Sequence, residues 1–183
     1  MKHTLAILFM FCCSVIITDA QQTRGARSVY TETSEFRKDS LVITKRVYQE
    51  FNKKGLTTKE IIFTADSLIK SHEEWSYDRK GRIIQYSTFS SEGALLTKST
   101  TTYDRFNNKK SIVVEDAKNA IISSTTFTYN DFGKKTQELT IDNQQRTIER
   151  IQYEYDNRGA LIKRTELDGN NKVQSEKSWT YTY

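Results

Sequence analysis

The stretch Tyr155-Asp156-Asn157-Arg158-Gly159-Ala160-Leu161-Ile162 decides the fold, because its first residues recur upstream at one fixed interval. A tyrosine returns every 26 residues, and a phenylalanine continues the series toward the N-terminus. The series consists of Phe51, Tyr77, Tyr103, Tyr129, Tyr155 and Tyr181. A fixed period of this length indicates an array of structural repeats.

The fifth residue of each repeat predicts a tight turn. It is glycine in four repeats and asparagine in one, and both residue types tolerate a positive φ. The positions are Gly55, Gly81, Asn107, Gly133 and Gly159. Asp or Asn three places earlier suits the first position of a type I turn, so we expect hairpins closed by such a turn and a left-handed residue. A second, looser set of turn residues follows half a period later, as in Asp142-Asn143-Gln144-Gln145.

Between the turns, apolar and polar residues alternate with the period of a β-strand. Ile151, Tyr153 and Tyr155 are separated by Gln152 and Glu154, and an even repeat length keeps this alternation in phase. The pattern predicts an all-β fold, an antiparallel up-and-down meander of about 12 short strands made of double-hairpin repeats. Strand twist should curl this single sheet until it approaches a barrel, with a core of aromatic columns such as Trp75, Thr101, Phe127, Tyr153 and Trp179.

The N-terminus has the pattern of a secretory signal. Lys2 precedes an apolar run from Leu5 to Ile17, and the segment that follows ends with small residues at the cleavage-determining positions, Thr18 and Ala20. We therefore expect a signal peptide over residues 1–20 with cleavage near Ala20. A flexible leader over 21–27 and one β domain over 28–183 would follow. The apolar run is too short for a membrane-spanning helix, and no later segment is apolar enough, so the chain should be secreted or periplasmic.

Cleavage of that signal would narrow the possible chemistry. Both cysteines lie within the signal, and His72 would be the only histidine left. Thiol nucleophiles, cysteine metal sites and multi-histidine zinc sites are therefore not expected, and neither is a cofactor. We expect His72 to be a surface histidine, and acidic pairs such as Glu73-Glu74 to point to opposite faces of a strand. The sequence thus predicts no catalytic residue and no enzyme.

One edge of the predicted sheet should be basic. The seven residues after each of the first five repeat aromatics include 11 Lys or Arg and 4 Asp or Glu, whereas the windows of the other turns include 4 and 5. In a meander, turns of one phase share one edge, so these cations would form a row about 40 Å long. The candidate ligand-binding residues are Lys53, Lys54, Arg79, Lys80, Arg82, Arg105, Lys109, Lys110, Lys134, Lys135 and Arg158.

The motif Tyr-Asp-x-x-Gly, as in Tyr77-Asp78-Arg79-Lys80-Gly81 and again from Tyr155 to Gly159, resembles the YD repeat of Rhs-type and wall-associated bacterial surface proteins. The resemblance covers roughly residues 41–183. It implies coiled β-sheets, which in some members form a shell around a toxin and in others a surface module that binds carbohydrate. It also implies a setting in the bacterial envelope or exterior, and it brings no catalytic residue.

These observations favour an exported, non-enzymatic β-repeat protein that binds or scaffolds, with an anionic polysaccharide or another envelope component as its partner. Nucleic acid is not expected for an exported chain with a modest positive charge. Three alternatives stay open: a structural or protein-binding module that uses free sheet edges, a small outer-membrane β-barrel, and a basic edge whose lysines only prevent aggregation.

Overall fold

The structure, a computed structural model, describes residues 25–38 and 40–182. The predicted signal peptide and the first part of the predicted leader lie outside the described residues. The described chain forms one sheet of 12 antiparallel strands whose spatial order is their order in sequence. The strands are β1 Ser28–Arg37, β2 Ser40–Phe51, β3 Thr57–Phe63, β4 Ile69–Tyr77, β5 Ile83–Phe89, β6 Leu95–Tyr103, β7 Lys109–Asp116, β8 Ile121–Tyr129, β9 Lys135–Asp142, β10 Thr147–Tyr155, β11 Leu161–Asp168 and β12 Val173–Ser178.

The predicted all-β meander is therefore confirmed. Strands β1 and β12 each pair with a single neighbour, so the described sheet stays open instead of closing on itself. The two faces alternate as the sequence predicts. Positions in the polar column are exposed and those in the aromatic column are half-buried; the exposed ones are Ser76, Thr102, Thr128, Glu154 and Thr180.

The aromatic columns do not form the enclosed core that we expected. Among the described residues, Ile151 is the only buried apolar side chain, with 8% of its surface exposed. Rings such as Trp75 and Tyr153 are half-buried instead. The reason is architectural, because a single sheet that does not close has no second layer against which either face could be fully covered.

Both sets of turns have the same geometry. Asp78 accepts a hydrogen bond from the amide of Gly81 (3.0 Å), and Asp142 accepts one from Gln145 (3.1 Å). The fourth residue is left-handed in both, with φ of 83° at Gly81 and 63° at Gln145. The second set is therefore as well defined in geometry as the first, although its residue pattern is looser. The Asp142 carboxylate accepts the amides of Gln144 (2.8 Å) and Arg146 (2.9 Å), which fixes the turn without a glycine.

The two edges of the sheet differ in how far neighbouring hairpins pair. We call one the tyrosine edge, which contains the turns that begin at Asn52, Asp78, Asp104, Asn130 and Asp156. The other is the closed edge, which contains the turns that begin at Thr64, Ser90, Asp116, Asp142 and Asp168.

At the closed edge, one strand of each neighbouring pair remains paired to its last residue, as in Thr97↔Asp116. At the tyrosine edge, pairing stops before the ends of both strands in four pairs, namely β3 with β4, β5 with β6, β7 with β8 and β9 with β10. The last pair between β5 and β6 is Gln85↔Thr100, although β5 begins at Ile83 and β6 continues to Tyr103. The hairpins therefore separate at the tyrosine edge.

The repeated tyrosines fill these separations. Each hydroxyl donates to the backbone carbonyl of the residue 20 positions earlier, at the start of the neighbouring strand, where backbone pairing has already ended. The five bonds are 2.6 to 3.0 Å long and join Tyr77 to Thr57, Tyr103 to Ile83, Tyr129 to Lys109, Tyr155 to Lys135, and Tyr181 to Leu161. The tyrosine period thus marks a hydrogen bond between consecutive repeats, and this bond satisfies a carbonyl that the sheet leaves unpaired.

Candidate functional site

All the predicted ligand-binding residues lie at the tyrosine edge, either in its turns or in the first residues of the following strand. Two of them, Arg82 and Lys135, are half-buried. The others are exposed, namely Lys53, Lys54, Arg79, Lys80, Arg105, Lys109, Lys110, Lys134 and Arg158. The structure therefore places the predicted cations on one side of the sheet, as the repeat phase required.

Consecutive turns of this edge touch one another through these cations. The Lys54 ammonium donates to the carbonyl of Arg79 in the next turn. Lys80 and Arg82 both donate to the Asn107 side chain of the turn after that, with Arg82 at 3.1 Å. The first three turns thus form a continuous surface in which positive groups bridge from repeat to repeat.

Arg82 is held by its own turn as well. Its guanidinium pairs with Asp78 at 2.6 Å and lies 4.1 Å from the centre of the Tyr103 ring. The amide of Arg82, followed by its guanidinium, holds the pKa of the Asp78 carboxyl below its usual value. Arg82 consequently connects two repeats, and its charge is largely balanced by Asp78.

Lys135 turns away from the solvent at the edge. Its ammonium pairs with Glu138 and lies 4.6 Å from the centre of the Tyr153 ring. Burial disfavours the charged form, but the hydrogen bond and charge of Glu138 outweigh it and raise the pKa of Lys135. This lysine is therefore a neutralised part of the sheet face, unlike the exposed Lys134 beside it.

Two exposed phenylalanines accompany the cations and were missed from the sequence. Phe106 and Phe132 occupy the third positions of adjacent turns, with 67% and 88% of their surface exposed. The Arg105 guanidinium lies 4.7 Å from the centre of the Phe106 ring. Their exposure could have been predicted from the repeat alignment, because the same turn position holds lysines, Lys54 and Lys80, in the preceding repeats.

A groove of about 530 Å³ opens between the first two turns of the tyrosine edge. It lies where the pairing of β3 with β4 has stopped at Lys59↔Glu74, so its floor is the separation between these strands. The groove is shallow and largely open to solvent. The groove is lined by Asn52, Lys53, Lys54, Thr58, Trp75, Ser76, Tyr77, Asp78 and Arg79.

Carboxylates converge at one place that the sequence analysis did not identify. Glu149 and Glu166, on neighbouring strands, share a hydrogen bond, and burial together with Glu166 raises the pKa of Glu149. The sequence analysis could not find this contact, because it depends on the register between β10 and β11. Arg164 and Ser175 both bind Glu166 at 3.1 Å, so these carboxylates belong to a satisfied network on the sheet face.

The acidic pairs that the sequence did suggest remain apart, as expected for neighbours on a strand. Glu74 binds His72 at 3.1 Å and pairs with Lys59 at 3.2 Å. His72 itself is not the surface histidine that we expected. Its side chain is only 11% exposed because its ring stacks on that of Phe89, with 4.4 Å between centroids.

Within residues 25–38 and 40–182, no three side chains of His, Cys, Asp or Glu are grouped so that they could hold a metal ion. In the same part of the chain, no helix is sufficiently long and apolar to span a membrane.

Comparisons with known proteins yield distant structural similarities. No protein-family model and no curated protein match the chain. The Tc holotoxin pore of Photorhabdus luminescens is similar over 81% of this chain, at 16% identity and a TM-score of 0.44, and the match spans 9% of the toxin chain. A porin-like protein from Bacteroides vulgatus is similar over 82% of this chain and 87% of its own, at 13% identity and a TM-score of 0.43.

A second porin-like protein, from Bacteroides uniformis, has 12% identity and a TM-score of 0.35 over 83% of this chain. Similarities at this level establish no family and carry no conclusion about function. The resemblance to YD repeats therefore rests on the motif alone, and what is shown is a β-repeat sheet.

Proposed function

We propose that the chain is an exported, non-enzymatic module of the bacterial envelope or exterior that binds an anionic glycan along its tyrosine edge. The observation that carries the proposal is the continuity of the cations over the first three turns, because a lysine and an arginine of one turn reach the next. Neighbouring repeats are about 10 Å apart, two strand spacings, so an extended polyanion could meet one turn after another.

The contrast between the edges supports a binding role over general solubility. Lysines that only kept the protein soluble would be needed equally at both edges. The turn windows of the tyrosine edge instead include 11 basic and 4 acidic residues, against 4 and 5 at the closed edge. A surface with one sign of charge raises the local concentration of an oppositely charged polymer, and salt weakens this effect.

The test is a charge reversal with a matched control. Lys109, Lys110 and Lys134 are exposed at the tyrosine edge, and Lys70, Lys118 and Lys172 are exposed at or beside the closed edge. Changing either trio to Glu alters the net charge by the same amount. We expect the tyrosine-edge triple variant to bind polygalacturonate at least about tenfold more weakly and the control to bind like the wild type.

Calorimetry at low and at physiological ionic strength measures both affinities. Equal losses in the two triple variants would show that total charge, and not the tyrosine edge, governs binding. Unchanged binding in both would contradict the proposal outright.

A second candidate is a scaffolding module that pairs through its terminal strands. It is favoured by β12, which is exposed along its whole length and pairs only with β11. A free strand edge of this kind can accept a further strand from another protein. Such association would persist in the tyrosine-edge triple variant and at high salt, and it would raise the molar mass measured by light scattering.

A further inference from the structure

We infer that the groove between the first two turns of the tyrosine edge is a binding site for a single sugar ring that bears an anionic group, a carboxylate or a sulfate. The inference deepens the proposed function and rests on it, since the groove would be one end of the glycan-binding edge. It adds a defined position for the ligand and an aromatic contact that a row of cations alone does not supply.

The groove is a consequence of the separation between hairpins. Every repeat has such a separation at the tyrosine edge, but the aromatic column supplies a different residue at each. In the described chain, Lys135 lies over the Phe127 and Tyr153 rings, and Lys177 lies over Trp179, 5.2 Å from its centre. Thr101 replaces the ring in the remaining repeat. Trp75 is the member of the column that combines an indole with a groove.

The surroundings of Trp75 leave part of the indole accessible. Its ring contacts Tyr86 in a tilted arrangement, with 5.6 Å between centroids, and its side chain lines the groove. Flat aromatic groups of this size provide large contact areas at a low cost in conformational entropy. The apolar face of a pyranose ring is a suitable partner for such a surface.

The charges around the groove select an anion. Lys53 and Arg79 are exposed at its walls, and the Lys54 ammonium bridges the two turns through the Arg79 carbonyl. The single carboxylate of the lining, Asp78, is neutralised by Arg82 at 2.6 Å and accepts the amides of Lys80 (2.8 Å) and Arg82 (3.0 Å). The net field therefore favours a negative group beside the indole.

Intrinsic fluorescence can test this site directly, because the chain has only two tryptophans. The W179F variant retains Trp75 alone, and the W75F variant retains Trp179 alone. Digalacturonate is too short to follow the whole edge, and its methyl ester has the same rings without the charges. We expect digalacturonate, but not the ester, to give a saturable change in Trp75 emission in W179F and none in W75F.

The affinity for digalacturonate, measured by calorimetry, should fall about tenfold in W75F. It should fall likewise in K53E, an exposed turn variant that preserves the indole. A sulfated disaccharide titrated in parallel identifies the preferred anionic group. If inorganic sulfate alone produces the full emission change, the groove is a simple anion site and the sugar inference is wrong.

The groove inference and the proposed function of the tyrosine edge can be contradicted separately. The triple variant K109E/K110E/K134E changes residues of later repeats, so it should bind polygalacturonate at least about tenfold more weakly and bind digalacturonate like the wild type. The groove inference would be wrong if digalacturonate left the Trp75 emission of W179F unchanged and bound to W75F and K53E with wild-type affinity. The proposal for the tyrosine edge would not be affected by that result. A Trp75 response in a protein whose polymer binding survives the triple reversal would instead support the groove and contradict the edge.

Discussion

The tyrosine edge and the closed edge contain the same turn in different surroundings. Asp78 with Arg82 and Asp142 with Arg146 are matched pairs, and in both the arginine Nε lies 2.7 Å and Nη2 2.6 Å from the aspartate. The Arg82 side chain is nevertheless only 27% exposed, whereas that of Arg146 is 71% exposed. The difference arises because Arg82 lies over the Tyr103 ring of the next repeat.

The conformation of each turn and the environment of its side chains therefore have different causes. The turn depends on its own first residue, which binds two amides at either edge. The surroundings depend on how far the next hairpin pairs. At the tyrosine edge, neighbouring hairpins separate early and leave a gap between the strands. The tyrosine hydroxyls bond across this gap, and the cations and the groove lie on its solvent side.

The largest expected effect concerns a glycine at the closed edge. A Cβ on Gly169 would lie 2.2 Å from the Thr147 carbonyl oxygen of the neighbouring strand, whereas one on Gly93 would contact nothing within 4 Å. We expect Gly169→Ala to lower the free energy of unfolding by about 3 kcal/mol, the upper part of the range for overpacked sites. Gly93→Ala, which only places a Cβ on a left-handed residue, should cost about 1 kcal/mol.

Urea unfolding of both glycine variants measures the difference. At the tyrosine edge, a Cβ on Gly159 would lie 3.5 Å from the flexible Lys134 side chain, and one on Gly55 or Gly133 would contact nothing within 4 Å. If Gly169→Ala were no worse than Gly93→Ala, the close approach of Gly169 to the Thr147 carbonyl would be disproved.

The next effect tests the hydrogen bond that spans each separation. In Tyr77→Phe, the carbonyl of Thr57 loses its 2.6 Å bond, so we expect a loss of about 1 kcal/mol in the free energy of unfolding. The matched control is Tyr48→Phe. That hydroxyl bonds only to the Glu50 side chain at 3.1 Å, which water can replace, so little change is expected. An unchanged free energy of unfolding in Tyr77→Phe would show that the repeated tyrosine stabilises through its ring alone.

The sequence was sufficient to predict the strands, the turns and the phase of the two edges. A period of 26 residues, glycines at one phase and alternation along each strand are all local signals. The same signals placed Lys53, Lys110 and Lys134 at one edge. Local patterns suffice here because a meander pairs only neighbouring strands, so chain order gives spatial order.

Three features were beyond the sequence, two because they depend on how the strands pair and one because it depends on a side-chain conformation. The carboxylates of Glu149 and Glu166 meet diagonally, since Ile151 lies opposite Glu166. The role of Tyr77 in a bond to Thr57 requires knowing where pairing stops. The inward turn of Lys135 follows from its pairing with Glu138 three residues later on the same strand, which charge counting cannot distinguish from an exposed lysine.

A smaller effect separates the matched arginines. Arg82→Ala removes the contact with Tyr103 and the 3.1 Å bond to Asn107, and a cation–π contact near the surface contributes about 0.5 to 1 kcal/mol. Arg146→Ala removes only an exposed ion pair, which rarely contributes measurably. Thermal unfolding should therefore show a lower Tm for Arg82→Ala than for Arg146→Ala. The opposite order would mean that the contacts of Arg82 with Tyr103 and Asn107 do not stabilise the fold.

The smallest effect should be the same at both edges, because it belongs to the turn itself. The amides and guanidiniums of Arg82 and Arg146 lower the pKa of Asp78 and Asp142 from the ordinary 3.8. A carboxyl whose pKa is lower in the folded state adds stability above about pH 4, and this stability is lost as the pH falls through the folded value. Asn keeps the oxygen that accepts the amides but does not titrate.

Asp78→Asn and Asp142→Asn should therefore each lower Tm slightly at neutral pH, by roughly one or two degrees, and match the wild type when the pH is well below 3.8. Thermal unfolding across the acid range measures both differences. Glu60→Gln, whose partner is the Gln49 amide at 2.6 Å, is a control that lies outside the turns. If only the tyrosine-edge variant followed this course, the two turns would differ in their own chemistry, and the contrast between the edges could not be assigned to their surroundings alone.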